Sequence, residues 1–303
     1  MQQRSAPAVA RLGGPTGERP VRLGRRFGQR DRRLQVLGIG VTERIATGVA
    51  MDFDLAMLLA LPASFLVFLG LEGLAPSKRE MPEIRHWRLI GLAAFAGTLV
   101  VYVGTPLLVV PLLPPMAIVD LNSWGNWAAI PVWVLTTFLG YWAHRTMHYF
   151  DALWRAGHQL HHGVARVDIS SAMIFHPVDS IVQGVLTGLL AAGLTNATAH
   201  AAAWAGLWGF VVALYQHWNV RTPAWTGWIV QRPEAHMLHH ERDVHARNFG
   251  DMPVWDRLFG TYGDPVERRV ELGFEAGRGR RWLAMLAMVD VNKAQREDGR
   301  IRL

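Results

Sequence analysis

The chain has 303 residues, of which half are hydrophobic and 18% are charged, and several of its thirteen Trp residues lie close to apolar runs. This balance favours a membrane protein over a soluble one. Cysteine is absent, which excludes a disulfide framework and a thiolate metal site, so any metal must be bound by imidazole, carboxylate or water.

The formal net charge of +7 comes from residues 1–50, which hold ten Arg and three acidic residues. This basic segment is rich in Gly and Pro and lacks helical periodicity, so we predict that it is disordered. A basic arm can contact anionic lipid or nucleic acid. A solvated tail, or translated sequence ahead of a start at Met51, is the simpler interpretation, and we expect no nucleic-acid partner.

Four stretches lack Asp, Glu, Lys and Arg, and they cover residues 55–71, 89–119, 121–143 and 180–220. A bilayer-spanning helix needs about 20 such residues. The last stretch is too long for one span and is interrupted by the polar segment 195–198, which predicts a helical hairpin. We therefore predict an all-α membrane protein with about four to five transmembrane helices.

The loop at residues 75–88 has more Lys and Arg than acidic residues, and the positive-inside tendency places it in the cytoplasm. The next two spans then cross the membrane and return, so the chain from His144 onward begins on the cytoplasmic side. The basic residues 1–50 would lie on the opposite side if residues 55–71 cross fully. Either Met51 is the true start, which we favour, or residues 55–71 are a short re-entrant element.

Eight of the thirteen histidines form three boxes between residues 144 and 240. The boxes are His144-Arg-Thr-Met-His148, His158-Gln-Leu-His161-His162 and His236-Met-Leu-His239-His240. Residues three and four apart share one face of a helix, so each box can present two or three imidazoles to one volume.

Imidazole is a good ligand for iron, zinc and copper. One zinc ion needs about three or four ligands, so eight histidines fit two adjacent ions better than one. A single HxxxH pair often has only a structural role, but two HxxHH boxes with one HxxxH box are a specific signal. The boxes also lie at the ends of apolar stretches, which predicts a dimetal site at the membrane surface.

The boxes resemble those of the fatty acid hydroxylase superfamily, also called the sterol desaturase family. Further motifs over residues 130–265 agree with this resemblance: Phe175-His176-Pro177, Gln216-His217-Trp218-Asn219, Asn248-Phe249-Gly250 and the run from Trp255 to Tyr262. The resemblance implies a helical membrane fold with a cytosol-facing dimetal centre. It also implies oxygen-dependent hydroxylation, desaturation or stepwise methyl oxidation of a lipid.

The same resemblance gives the candidate metal ligands: His144, His148, His158, His161, His162, His217, His236, His239 and His240, with His176 as a further candidate. Some relatives have another histidine where this chain has Arg221, which leaves the ligand count open. Asn248 is a candidate for a hydrogen bond to a ligand or to a metal-bound water, although a turn residue before Gly250 is the simpler interpretation. Asp179 is a candidate for anchoring a histidine that supports a ligand. We assign no site role to His86, His200 or His245.

Two iron ions with molecular oxygen are the cofactors that this resemblance implies, and zinc can take their place in a purified form. We predict hydroxylation of a fatty acyl, sterol or other lipid from the bilayer, and desaturation by the same centre is the alternative. No nucleotide-binding glycine motif or cytochrome b5-like segment is found, so we expect a separate electron donor, which would be cytochrome b5, ferredoxin or a flavoprotein. The membrane would be a bacterial inner membrane or the endoplasmic reticulum.

Two other classes of protein are less consistent with the motifs. A membrane metalloprotease needs a glutamate base within an HExxH box, and none of the three boxes supplies one. A histidine-rich metal transporter tends to place ionisable residues along a path inside its spans, whereas these histidines cluster at the ends. We therefore predict an oxidase domain at residues 51–265 and a charged C-terminal tail at 266–303.

Overall fold

The computed structural model describes residues 53–77, 81–113, 117–266 and 269–292. These residues form helices joined by loops, and their one strand-like feature is an isolated antiparallel bridge between Glu241 and Leu272. The prediction of a disordered segment at residues 1–50 lies outside the described residues.

The α-helices are α1 Phe53–Leu74, α2 Trp87–Val109, α3 Ala129–Tyr149, α4 Asp151–Leu153, α5 Gln159–His162, α6 Pro177–Gly188, α7 Ala199–His217, α8 Pro233–His239, α9 Pro253–Leu258 and α10 Trp282–Leu286. Short 3₁₀ or π turns cover Val110–Leu112, Asn122–Ala128, Trp154–His158, Leu189–Leu194, Ala224–Trp228 and Glu275–Arg280.

Three helical segments of the described chain are long and apolar enough to cross a membrane: Leu55–Leu74, Trp87–Leu112 and Pro177–Leu194. Large apolar side chains on the first two are exposed, for example Leu66 at 58% and Val100 at 73%. Such an apolar outer surface suits contact with lipid rather than water. The prediction of an all-α membrane protein is confirmed, and the number of spans and their orientation stay predictions.

The predicted hairpin in residues 180–220 is present. The helical path of α6 continues through the π turn to Leu194, and α7 begins at Ala199. Thr198 caps α7 because its side chain accepts a hydrogen bond from the amide of Ala201 at 3.1 Å. Asn196 adopts a left-handed conformation with φ 45°, which suits the turn. The polar break therefore marks the connection between two helices.

The apolar core that supports the site lies among α1, α2 and α7. Phe65 of α1 stacks on Phe95 of α2 with ring centroids 4.3 Å apart, and Phe210 of α7 lies 6.1 Å from Phe95. The loop that follows the second histidine box lies directly on α2 at Gly91, where an added Cβ would be 2.5 Å from the Cα of Ser170. This close approach requires glycine.

Buried polar contacts tie several segments together at one end of the bundle. The Glu72 carboxylate, at the end of α1, accepts hydrogen bonds from the amides of Ile169 at 3.0 Å and Asn219 at 2.9 Å. Trp87, at the start of α2, donates its indole N–H to Asp168 at 2.9 Å. The predicted basic loop, the segment after the second box and the end of α7 therefore meet at the same end, as the sequence pattern requires.

Part of the predicted charged tail packs against the helical bundle. Residues 269–292 fold back onto the domain, and Phe274, Met285 and Val291 are buried in a cluster with Trp154. Side-chain atoms of Met285 lie about 3 Å from where a Cβ on Gly163 would stand. The high charge of this region conceals the few apolar residues that pack against the domain, and the domain boundary at residue 265 stays a prediction.

Candidate metal centre

Nine histidines converge at this end of the bundle in two groups, and within each group the candidate ligand nitrogens all lie within 4.8 Å of one another. Site A comprises His144, His148, His158, His162 and His239. Site B comprises His161, His217, His236 and His240. The groups adjoin, because the His162 ring of site A stacks on the His240 ring of site B at 4.3 Å.

Helix geometry explains how one box serves both sites. In an HxxHH box, the first and last histidines are four residues apart and point within about 40° of each other, whereas the middle one points about 60° from the first and about 100° from the last. In the second box, His158 and His162 accordingly face site A and His161 faces site B. The third box reverses this arrangement, since its outer pair faces site B and His239 faces site A.

Five of the nine histidines donate their Nδ1–H to a fixed oxygen. The pairs are His144 with the Phe249 carbonyl at 2.7 Å, His158 with the Asp179 carboxylate at 2.8 Å, His161 with the Ile174 carbonyl at 3.3 Å, His217 with the Ala213 carbonyl at 2.8 Å and His239 with the Arg247 carbonyl at 2.8 Å. Carbonyl and carboxylate oxygens only accept hydrogen bonds, so the proton of each neutral ring lies on Nδ1 and the lone pair lies on Nε2.

These lone pairs face one another. The Nε2 atoms of His161 and His217 are 3.1 Å apart, and those of His144 and His158 are 2.8 Å apart. Burial lowers the pKa of the His161 imidazole well below its ordinary value, which keeps the ring neutral. Two neutral rings with the proton on Nδ1 have no hydrogen to share at this contact, and a cation between them resolves the repulsion.

The distances also fit a metal ion. Two nitrogens bound at about 2.1 Å and at right angles around one ion are separated by about 3.0 Å, and in a tetrahedron by about 3.4 Å. The contacts between Nε2 atoms in site B are 3.1, 3.3 and 3.1 Å. The donor set consists of neutral imidazoles, which suit iron, copper or zinc.

Aromatic side chains border the centre. Phe249 lies against His144, His148 and His239, with ring centroids 5.4 to 5.6 Å away. Phe175 stacks on His161 at 4.3 Å. These rings limit the access of water and lower the local dielectric constant around the imidazoles.

Three of the candidate residues take supporting positions. Asp179 accepts a hydrogen bond directly from His158 of site A, and not from a supporting histidine. His176 lies outside both groups, since its Nδ1 accepts from the Val178 amide at the start of α6 and its Nε2 donates to the Leu286 carbonyl. Asn248 has a left-handed backbone with φ 57° and bonds to Ala235 and Gly263, so it holds a turn.

Two residues near the centre were not given a site role from the sequence. The Asp256 carboxylate accepts hydrogen bonds from the amides of Phe249 and Gly250 and from the Thr261 hydroxyl at 2.7 to 2.8 Å. Burial raises its pKa to about 6. Asp256 thereby holds the segment that contains Phe249, whose carbonyl accepts the hydrogen bond from His144. His245, to which we assigned no role, has its ring 4.6 Å from His162, while His86 and His200 are exposed.

Comparison with known proteins agrees with this geometry. The family described as fatty acid hydroxylase matches residues 129–261. Ornithine lipid hydroxylase OlsE of Rhizobium tropici is 29% identical over 54% of this chain and 50% of its own length. Alkylglycerol monooxygenase of Xenopus tropicalis is 27% identical over 48% of this chain and 35% of its length. A Delta(7)-sterol-C5(6)-desaturase of Nicotiana tabacum is 30% identical over 48% of this chain and 52% of its own length.

The matches thus span about a third to a half of each relative. No solved structure matches the chain. The matched residues contain all nine histidines of sites A and B.

Proposed function

We propose that this chain is an oxygen-dependent lipid hydroxylase with a non-haem di-iron centre. The match of residues 129–261 to the fatty acid hydroxylase family supports this proposal. The observation that carries the proposal is the convergence of nine imidazoles in two adjoining groups at one end of an apolar helical bundle. An oxidation site in that position can receive a substrate that stays in the bilayer.

Oxidation of unactivated C–H bonds needs an oxidising power that amino-acid side chains lack and that bound iron would supply. Zinc is redox-inactive and cannot supply it. Two of the three contacts between Nε2 atoms in site B are 3.1 Å, which fits ligands near right angles, and the third is 3.3 Å, which is nearer to the tetrahedral separation. Ligands near right angles suit the higher coordination numbers of iron.

The residues of the chain hold the ligands rather than react. The carbonyls and the Asp179 carboxylate fix five rings with Nε2 inward, so the site is organised before the metal binds. Phe249 and Phe175 exclude water from the two groups. An apolar wall also protects a reactive centre from side reactions with solvent.

Hydroxylation is favoured over desaturation because the family name and the names of two relatives describe hydroxylases or monooxygenases. Desaturation is the second candidate, since another relative is a sterol desaturase. The lipid and the carbon that is oxidised are open within this proposal.

The remaining parts of the proposal follow from topology and from the balance of electrons. The site lies at the same end as the basic loop, which supports a cytoplasmic orientation in a bacterial inner membrane or the endoplasmic reticulum. Reduction of oxygen needs electrons, so a separate cytochrome b5, ferredoxin or flavoprotein is the proposed partner.

Lipid mass spectrometry of a host with and without the chain tests the proposal. Hydroxylation adds one oxygen to a lipid, desaturation removes two hydrogens, and neither change should occur with His161→Ala. The purified protein should contain about two metal ions per chain, as the two groups require, and consume oxygen with lipid extract and reductant. A single tightly bound metal per chain, or no oxygen uptake with any lipid, would count against the proposal.

A further inference from the structure

The nine histidines differ in how their Nδ1 atoms are held, and one difference points to a further residue. The buried Nδ1 of His162 has no hydrogen-bond partner among the described residues, whereas three other ligands of site A are bonded to fixed oxygens. A metal-binding histidine ordinarily donates this N–H to an acceptor, which fixes the tautomer and the ring orientation. An acceptor for His162 is therefore expected nearby.

His245 is the neighbour that can supply it. Its ring lies 4.6 Å from the His162 ring and 5.7 Å from the His148 ring. The Nδ1 of His245 is also buried and also lacks a partner in the part of the chain that the structure describes. A neutral imidazole has one accepting nitrogen. When the proton of His245 lies on Nε2, its Nδ1 can therefore accept the Nδ1–H of His162.

The turn that carries His245 already supports site A at another point. The Arg247 carbonyl accepts the Nδ1–H of His239 at 2.8 Å. His245 and Asn248 have left-handed backbones with φ 35° and 57°, and Asn248 ties the turn to Ala235, next to His236. A turn that is costly for residues with a Cβ is retained where it places a side chain or a carbonyl at a site.

We propose that His245 is a positioning residue of site A that accepts the Nδ1–H of His162, directly after a small ring rotation or through one bridging water. The proposal depends on metal binding at site A, which is part of the proposed function. It adds a supporting imidazole that is not in the histidine boxes.

The test compares His245→Phe, which keeps an aromatic ring and removes the acceptor, with His245→Gln, whose side-chain oxygen can accept. His200→Phe is the control, because His200 is exposed and lies about 25 Å from His217 along α7. The readouts are metal content of the purified protein, rate of metal loss to a chelator and the visible spectrum of the cobalt-substituted protein.

We expect His245→Phe to accelerate metal loss from one of the two sites by about 10–100-fold and to change the cobalt spectrum. His245→Gln should restore most of the retention, and His200→Phe should match the parent. Metal loss at the parent rate in His245→Phe, or equal retention in the Phe and Gln variants, would overturn the proposal. If His245→Phe does not fold, the comparison of His245→Gln with His245→Ala decides between the same outcomes.

These readouts do not depend on lipid oxidation. A protein that retains two metals and loses one faster in His245→Phe, yet oxidises no lipid, would contradict the proposed function and leave the role of His245 intact.

Discussion

Sites A and B are built from the same three boxes but differ in number of ligands, support and exposure. Site A has five histidines, one of which is hydrogen-bonded to the Asp179 carboxylate, and its His144 is partly exposed. Site B has four histidines, all buried. Of these, His236 and His240 have buried Nδ1 atoms without a partner among the described residues.

This difference indicates different affinities for metal. A carboxylate on the outer nitrogen raises the basicity of a ligating histidine and fixes its orientation. Site A therefore should bind its ion more tightly, and site B, with fewer ligands, should leave more coordination positions open. The comparison predicts that a chelator removes the metal of site B first.

The largest effect should come from removing one ligand of each site. We expect His161→Ala to leave about one metal per chain, held in site A, and His239→Ala, which leaves site A with four histidines, to lower the metal content of site A while site B keeps its ion. Both variants should lose lipid oxidation, since the proposed chemistry needs both ions. Metal analysis of the purified variants checks this, with His200→Ala as the control.

The two variants also test whether the sites are independent. Loss of both metals from either variant would show that the groups bind cooperatively, and the comparison between A and B would then fail. Retention of both metals in His161→Ala would remove His161 from the ligand set.

A smaller effect is expected from Asp179→Asn. The amide oxygen can still accept from His158, but it has no negative charge to stabilise the ligand. We expect metal affinity at site A to fall by about 10–100-fold while site B is unchanged. A chelator titration should then show that the order of metal loss is reversed relative to the parent protein. An unchanged order would show that the carboxylate does not set the affinity of site A.

The metal-free protein should lose stability as pH falls. Burial lowers the pKa of His161, His162, His236, His239 and His240 well below the ordinary value, and that of His245 to about 3. Below pH about 6.5 the unfolded chain binds protons that the folded chain does not, so the free energy of unfolding falls by about 1.4 kcal/mol per pH unit for each excess proton.

The comparison between metal-free and metal-loaded protein sharpens this expectation. Bound metal stabilises the folded form and moves the acid transition to lower pH. Thermal unfolding in detergent between pH 5 and 8 measures both effects. A metal-free protein with the same stability at pH 5 and 7 would contradict the burial of neutral imidazoles.

The sequence predicted that the box histidines converge, because their spacing along a helix is a local property. Boxes with i, i+3 and i+4 spacing place imidazoles together on any helix, whereas His217 was a candidate only through the family resemblance. The sequence did not predict which histidine serves which ion, since this depends on the rotation of α5 and α8 about their axes. The position of His245 beside site A was missed because its contacts with His162 and Trp154 join distant segments.

In the fold too, local features were predictable from the sequence and contacts between distant segments were not. Long apolar stretches and the polar break gave the helices and the hairpin, because a bilayer requires satisfied backbone hydrogen bonds over a known length. The docking of residues 269–292 depends on a few buried side chains such as Phe274 and Met285 within a charged segment. The overall charge and composition of this segment do not indicate that these few residues are buried.

The smallest of the predicted effects concerns Asp256, which supports site A from outside it. Its carboxylate accepts from the amides of Phe249 and Gly250, so Asp256→Asn places an amide group among donors and should lower the free energy of unfolding by about 1–3 kcal/mol. Burial raises the pKa of Asp256 to about 6. The folded chain therefore holds this proton more tightly than the unfolded chain, and the contribution of Asp256 to stability falls as pH rises from about 4 to 6.

This pH dependence is opposite in sign to that of the histidines and should vanish in Asp256→Asn. Because the Phe249 carbonyl receives His144, the variant should also speed metal loss from site A and leave site B unchanged. Chelator kinetics and thermal unfolding at pH 4.5 and 6.5 measure the two effects separately. Equal acceleration at both sites would show that Asp256 supports the whole bundle rather than the segment behind site A.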